Sequence, residues 1–277
     1  YHRWFEDRYV DGDGIPLEVC LLASIDDATG TITKASFAAN EGVAAVFTFW
    51  KEYLLEHGKP LRIYLDKFST YKINHKSAVD NHALMTQFER VMQNVAIMLI
   101  TAHSPQAKGR IERLFGTLQD RLVKEMRLAK VTTPTQGNRF LRDIFLPRFN
   151  KQFTVPAARE GDVHRPLTVS DTHNLNRIFA VQEIRTVNND FTIQFDTKWY
   201  QLAEIQPITV RVKEKVMVEQ WLDGTVHFSI REHYLNFTLL PERPEKIRQQ
   251  PVILTRHKLI WKPPVNHPWR KPFPIRS

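Results

Sequence analysis

Between Pro105 and Lys130 apolar residues return every three or four positions, at Ile111, Leu114, Phe115, Leu118, Leu122 and Met126. That spacing is the buried stripe of an amphipathic helix. Ser104 is a good N-cap and Pro105 suits the first helical position, so the helix starts there. Upstream the pattern shortens. The run EVCLLASI, Glu18 to Ile25, has the length of a strand buried on both faces; DDATG is a turn, and Thr31 to Ala38 reads as the return strand of a hairpin. Asn40 then suits the cap of a helix with Val43, Val46, Phe47, Trp50 and Leu54 on one face, stopped by Gly58. LRIYL is a short strand with Asp66 immediately after it. A loop, KFSTYKINHKSAVDN, leads to a helix carrying Leu84, Phe88, Val91 and Met92, and IMLITA is a strand that runs straight into the Ser104 helix.

A hairpin followed by alternating helices and strands describes a mixed sheet with helices on its faces, an order that admits more than one α/β architecture. Phe140, Leu141, Ile144, Phe145, Phe149 and Phe153 predict one more amphipathic helix, interrupted by Pro147. Val155 to Ser170, with two prolines and several charges, reads as a linker, after which the period changes to that of strands. Two β-rich runs flank Asn188-Asn189-Asp190, and two more flank Asp223-Gly224, both hairpin signals. The expected organisation is an α/β unit over 1–155, a linker over 156–180, a small all-β barrel over 181–240 and a Pro-rich basic tail over 241–277.

Charge changes the picture. The 277 residues carry a net charge of +9, and Pro241 to Ser277 alone holds nine Lys or Arg against two Glu. Such a chain favours a polyanionic partner, nucleic acid or an anionic membrane surface. Eight prolines make that tail an extended segment, whose attraction for DNA would be non-specific and would fade with salt. The single cysteine, Cys20, supports neither a disulfide framework nor a zinc cluster. With no signal peptide and no apolar run of membrane-spanning length, the sequence reads as a soluble, cytoplasmic protein.

Glu112 stands at the edge of the predicted helical stripe, among Lys108, Arg110, Arg113, Arg121, Lys124, Arg127 and Lys130. Lys108 and Glu112 form a plain i,i+4 pair on one reading; a metal-binding acid facing a phosphate backbone is the other. Gly109 costs helix stability and allows a close backbone approach. Asp66 is an acid at the carboxyl end of a strand, where an open α/β sheet presents its site.

The run SPQAKG followed, two residues on, by Glu112-Arg113 resembles the third catalytic motif of integrase-core DDE transposases, the relatives of retroviral integrases. RLFGTLQDRLVKEMRL is similar to one bacterial insertion-sequence group in particular, the ISNCY-like transposases, and Tyr64-Leu65-Asp66 matches the YxD of the same family. The resemblance implies an RNase H-like mixed sheet with helices on both faces. It implies Asp66 and Glu112 as catalytic ligands of Mg2+ or Mn2+, and Lys67, Lys108, Arg110 and Arg113 beside DNA phosphates. It also implies a homo-oligomer acting on mobile-element ends and target DNA, without a membrane, at the bacterial nucleoid. Tyr1-His2-Arg3-Trp4-Phe5-Glu6 matches the family's opening strand only after its aspartate, so the first acid and its strand are expected about three residues before Tyr1. Phe68 stands where the family has a histidine. The expected activity is metal-dependent end cleavage and strand transfer in DNA transposition. The alternative is a catalytically inactive DNA-binding remnant of a transposase; a junction-cutting nuclease fits SPQAKG less well. In the second unit, Arg185, Lys198, Arg211, Lys213 and Lys215 are candidate phosphate contacts, and Trp199 and Tyr200 suit core packing better than base stacking.

Overall fold

The computed structural model describes residues 3–66, 87–102, 105–159, 161–242 and 262–270. The expected hairpin is present: β1 (Cys20–Ile25) pairs antiparallel with β2 (Ile32–Ala38), from Cys20 opposite Ala38 to Ile25 opposite Ile32. Asp26 shapes its turn by accepting from the Thr29 amide at 3.1 Å, and Gly30 takes φ +72°. The register slips at Ser24/Ile25, so Ile32 and Phe37, of opposite parity, both turn main-chain groups outward. Two asparagines meet them. Asn138 accepts from the Phe37 amide at 2.6 Å and donates to its carbonyl at 3.2 Å; Asn150 makes the same pair of bonds to Ile32, each at 3.0 Å. The outer edge of β2 is thereby closed by side-chain amides instead of a strand.

Those asparagines come from one helical stretch, α4 (Pro134–Phe140), a π-helical turn (Leu141–Phe145) and α5 (Leu146–Phe153). Thr133 caps α4, accepting from the Gln136 amide at 3.3 Å. Pro147 falls in the first turn of α5, and the π turn ahead of it absorbs the break that the sequence predicts. Trp4, Phe5, Leu21, Ile32 and Phe37 pack there with Phe140, Phe145 and Phe149, and with the apolar stripe of α3 (Pro105–Leu128), Leu114 to Met126. Gly137 sits where a Cβ would come within 2.9 Å of both the Phe37 and Phe5 rings.

A second core lies under α1 (Val43–His57), which Gly58 ends at φ +82°. Its N-cap is Gly42 and not the expected Asn40, whose Oδ1 instead accepts from the Gly42 amide at 2.9 Å. Phe47 and Leu54 of α1 pack with Ile63 of β3 (Arg62–Asp66) and with Phe88, Val91 and Met92 of α2, residues 87–94. β3 runs parallel to β4 (Met98–Ala102), and α2 lies in the crossover between them. Among the described residues β1–β2 and β3–β4 are separate two-stranded sheets.

The stretch over 156–180 is tied down. Lys59 and Arg165 exchange both main-chain hydrogen bonds, at 2.8 and 2.9 Å. Helix α6 (Val169–Ile178) follows, opened by a capping box between Thr168 and Asp171. Lys59 Nζ donates to Asp171 at 2.5 Å, both side chains being mostly buried.

The C-terminal strands form two facing antiparallel sheets, where the sequence suggested a barrel. One has the order β10 (His233–Tyr234), β9 (Val226–Ile230), β8 (Lys215–Gln220), β5 (Val181–Thr186); the other β11 (Phe237–Leu240), β7 (Lys198–Leu202), β6 (Thr192–Phe195). Val216, Val218, Ile193, Tyr200 and Phe228 fill the space between them. No closed barrel forms among the described residues, because β10 is only two residues long and the outer edge of β5 is occupied by the Gln87 side chain. The hairpin expected around Asn188-Asn189-Asp190 is also displaced: β5 pairs with β8, and β6 turns into β7 across Asp196-Thr197, at φ +47° and +62°. Asp223-Gly224 does join β8 to β9, with Gly224 at φ +84°. Of the tail, 243–261 and 271–277 lie outside the described residues.

Two stability predictions follow from this packing. Gly137→Ala should cost about 1–3 kcal/mol by overpacking the Phe5–Phe37 contact, read as a lowered urea midpoint at constant slope. The Lys59 hydrogen bond, helped by the Thr168 amide, holds the Asp171 carboxyl down at about 2, from an ordinary 3.8. A depressed carboxylate stabilises the fold above its unfolded pKa, and that contribution disappears as pH falls from 3.8 through about 2. Asp171→Asn should therefore be less stable than wild type at neutral pH, the gap closing across that acid window; a gap that persists to pH 2 in denaturant titrations would refute this.

Candidate active site

Two acids are brought to adjoining elements. Asp66 is the last residue of β3, opposite Ala102, the last residue of β4. From Ala102 the chain passes through 103–104 into α3 at Pro105, and Glu112 follows two turns later, about 10 Å up the helix axis. The parallel pairing therefore sets the acid-bearing end of β3 beside the strand end that feeds the acid-bearing helix. Hydrophobic periodicity orients that helix: Leu114, Leu118, Leu122 and Met126 point into the core, Ile111 is partly buried against it, and Glu112 is exposed. The side chains of Asp66, Lys108 and Arg110 and the whole of Lys67 and Phe68 lie outside the described groups.

A Cβ added at Gly109 would meet nothing within 4 Å. The close approach that glycine permits is therefore not used by any described part of this chain. Beyond it the exposed face of α3 is cationic. Arg113 is exposed, its Nε donating to the Gly109 carbonyl at 2.8 Å; Arg121 lies over the Phe153 ring at 4.8 Å; Lys124 bonds Asp120. The Lys124 bond and its charge hold the Asp120 carboxyl below its usual range. Arg127 reaches Glu6 at 3.4 Å. These cations are spread along a helix about 36 Å long.

Other acids are spent on turns. Asp11 accepts from the amides of Asp13 and Ile15, at 3.0 and 2.8 Å, and Asp26 from Thr29. Among the described residues no three His, Cys, Asp or Glu side chains converge as a metal site. Asp66 and Glu112 offer carboxylate oxygens, the hard donors that magnesium and manganese take.

In the C-terminal unit Tyr200 is core, packed on Phe228 and Phe237 at 5.0 and 5.6 Å. Arg185 pairs with Glu183 at 2.5 Å and lies over Phe195. The sequence reading passed over Gln87, Arg90 and the buried Glu219; for Glu219 the one available signal was an acid at the inward end of the apolar run KVMVEQ.

No helix among the described residues is long and apolar enough to cross a membrane. No family model matches the chain. A protein of Sinorhizobium fredii (strain NBRC 101917 / NGR234) named transposase y4bF is 34% identical over 252 residues, which is 91% of this chain and 53% of that protein. The transposase for insertion sequence IS1202 of Streptococcus pneumoniae is 29% identical over 97% of this chain and 56% of its own length. Among solved structures, a simian T-cell lymphotropic virus intasome in complex with PP2A regulatory subunit B56 gamma matches 81% of this chain and 74% of its own, at 14% identity and a TM-score of 0.37, too low to carry an argument. The chain spans about half the length of the curated relatives it matches, and over more than nine-tenths of its own length it is a homologue of bacterial transposases.

Proposed function

We propose that this chain forms the catalytic core, on an RNase H-like sheet, and the C-terminal DNA-binding unit of a DDE transposase, which cuts mobile-element ends and joins them to target DNA. The observation that carries the reading is the convergence of two elements. Asp66 ends β3 beside the end of β4, and β4 leads within two helical turns to Glu112. Homology to named transposases over most of the chain supports the same chemistry.

Asp66 and Glu112 would hold magnesium or manganese, which when bound stabilises the oxygens entering and leaving phosphorus. The rest falls to the chain itself. Glu112, exposed on a helix fixed by its buried stripe, is pre-set for its task, and Arg113, with Lys67, Lys108 and Arg110, would steer and hold the phosphate backbone. The reading calls for a first acid as well, and unpaired strand edges leave room for a strand that would carry it. β2 has its outer edge closed by asparagines, whereas β1, β3 and β4 each have one edge with no partner strand among the described residues. A parallel pair standing alone is unusual, since parallel sheets are larger and covered on both faces. A further strand carrying the first aspartate, set between the free edges of β1 and β3, would join β1–β2 to β3–β4 in one mixed sheet.

In the complete protein, Glu112→Gln should lower cleavage and strand transfer by about a thousandfold or more, the scale of losing a group that stabilises transition-state charge, while DNA affinity stays unchanged. Undiminished strand transfer would sink the assignment; a wild type that binds ends yet never cuts, with Mg2+ or Mn2+ present, would favour the inactive remnant. Arg113→Ala should reduce the slope of log affinity against log salt by about 0.9, one phosphate contact. An unchanged slope would take Arg113 out of the interface.

A further inference from the structure

Polar contacts hold the C-terminal unit in place. Gln87 of α2 lays its amide along the outer edge of β5: Nε2 donates to the Gln182 carbonyl at 2.5 Å, and the Gln182 amide donates to Oε1 at 3.2 Å. A neighbouring strand would make the same pair of bonds. One turn on, Arg90 donates to the carbonyls of Ile178 at 3.2 Å and Ala180 at 2.5 Å, and through Nε to Gln87 at 3.3 Å. Those carbonyls end α6, where a cation satisfies orphan acceptors and meets the negative end of the helix dipole. Burial pulls the Arg90 pKa down, and the charge of Glu219 works against that shift.

Glu219 of β8 is 1% exposed. It accepts from Arg177 of α6 at 3.3 Å, from Gln182 at 3.4 Å and from Tyr234 at 2.9 Å. Burial, then the bond to Glu219, pushes the Tyr234 hydroxyl up to about 12. Leu175 and Phe179, meanwhile, share one apolar core with Ile63, Phe88 and Val91. One network thus joins α2, α6, β5 and β8.

Its position in the chain gives it a consequence. α2 lies in the crossover between β3, which ends in Asp66, and β4, which leads to Glu112. We propose that Gln87, Arg90 and Glu219 are positioning residues: they fix the β unit in one orientation on the helix that links the two acid-bearing elements. DNA gripped by that unit then meets Asp66 and Glu112 in a single register. The proposal rests on the transposase reading for its substrate, though not for the clamp itself.

Gln87→Ala and Arg90→Met, alone and combined, test it in the complete protein, with Arg90→Lys as the conservative variant and Arg148→Ala as a control outside the clamp. Gln87→Ala removes three hydrogen bonds, one of them from Arg90, from a half-buried side chain and no core, so it keeps the test open if Arg90→Met does not fold. Spin labels at Glu41→Cys and Glu204→Cys should give one narrow distance in wild type and a broad distribution in the double variant; a broad distribution in wild type would overturn the clamp whatever the protein does to DNA. On element-end DNA, the clamp variants should keep their affinity, spread their cuts over neighbouring phosphates and lose about a hundredfold in joining rate, as expected for misplacement on the order of 1 Å. Partial recovery in Arg90→Lys would support a positioning role. Variants with a broadened distance that still cut at the wild-type phosphate and rate would overturn the proposal. A wild type that cuts nothing would fail the transposase reading, with the label distance still deciding the clamp.

Discussion

A strand edge carries a row of main-chain donors and acceptors that must be paired, covered or left to water. Much of this fold follows from how each edge is treated. Asn138 and Asn150 close β2, Gln87 closes β5, and the Lys59–Arg165 exchange closes the end of α1 against the segment that leads to α6. In each place a short polar contact does what a further strand would otherwise do. That lets helices, which have no edges of their own, be fixed to sheets in direction as well as in depth. The apolar cores then set how far apart the layers stand, and the amides set their register.

The parts legible in the sequence are those whose information is local. The α3 stripe from Ile111 to Met126, the β1–β2 hairpin around DDATG and the turn at Asp223-Gly224 each carry their pattern within one or two turns of chain. β3 was readable because an apolar run stops at an acid. α6 was missed because VSDTHNLNRI is mostly polar; only Leu175 and Ile178 face the core, and the capping pair Thr168 and Asp171 was its one signal. The barrel expectation failed for a non-local reason: the outer edge of β5, opposite its pairing with β8, is held by Gln87, some ninety-five residues away along the chain.

The same division runs through the site. Glu112 can be placed on paper, since helical periodicity fixes its height and its side of α3. Asp66 can be placed by the strand it ends. The residues that hold the halves together cannot, because Arg90 and Gln87 address mostly main-chain atoms, which every residue carries and which leave no complementary side chain to find in the sequence. Glu219 is the exception, a buried acid in a valine-rich strand, legible as an anomaly though not with its partners.

Edge closure by side-chain amides also ties this architecture to chemical ageing. Asn and Gln are among the thermolabile residues, and hydrolysis of the Asn138 or Asn150 amide would replace a donor with a carboxylate oxygen facing the carbonyl of Phe37 or Ile32. A strand neighbour has no such vulnerability. Loss of either amide would leave two acceptors face to face at the edge of β2 and loosen the β1–β2 layer from the helix that closes it.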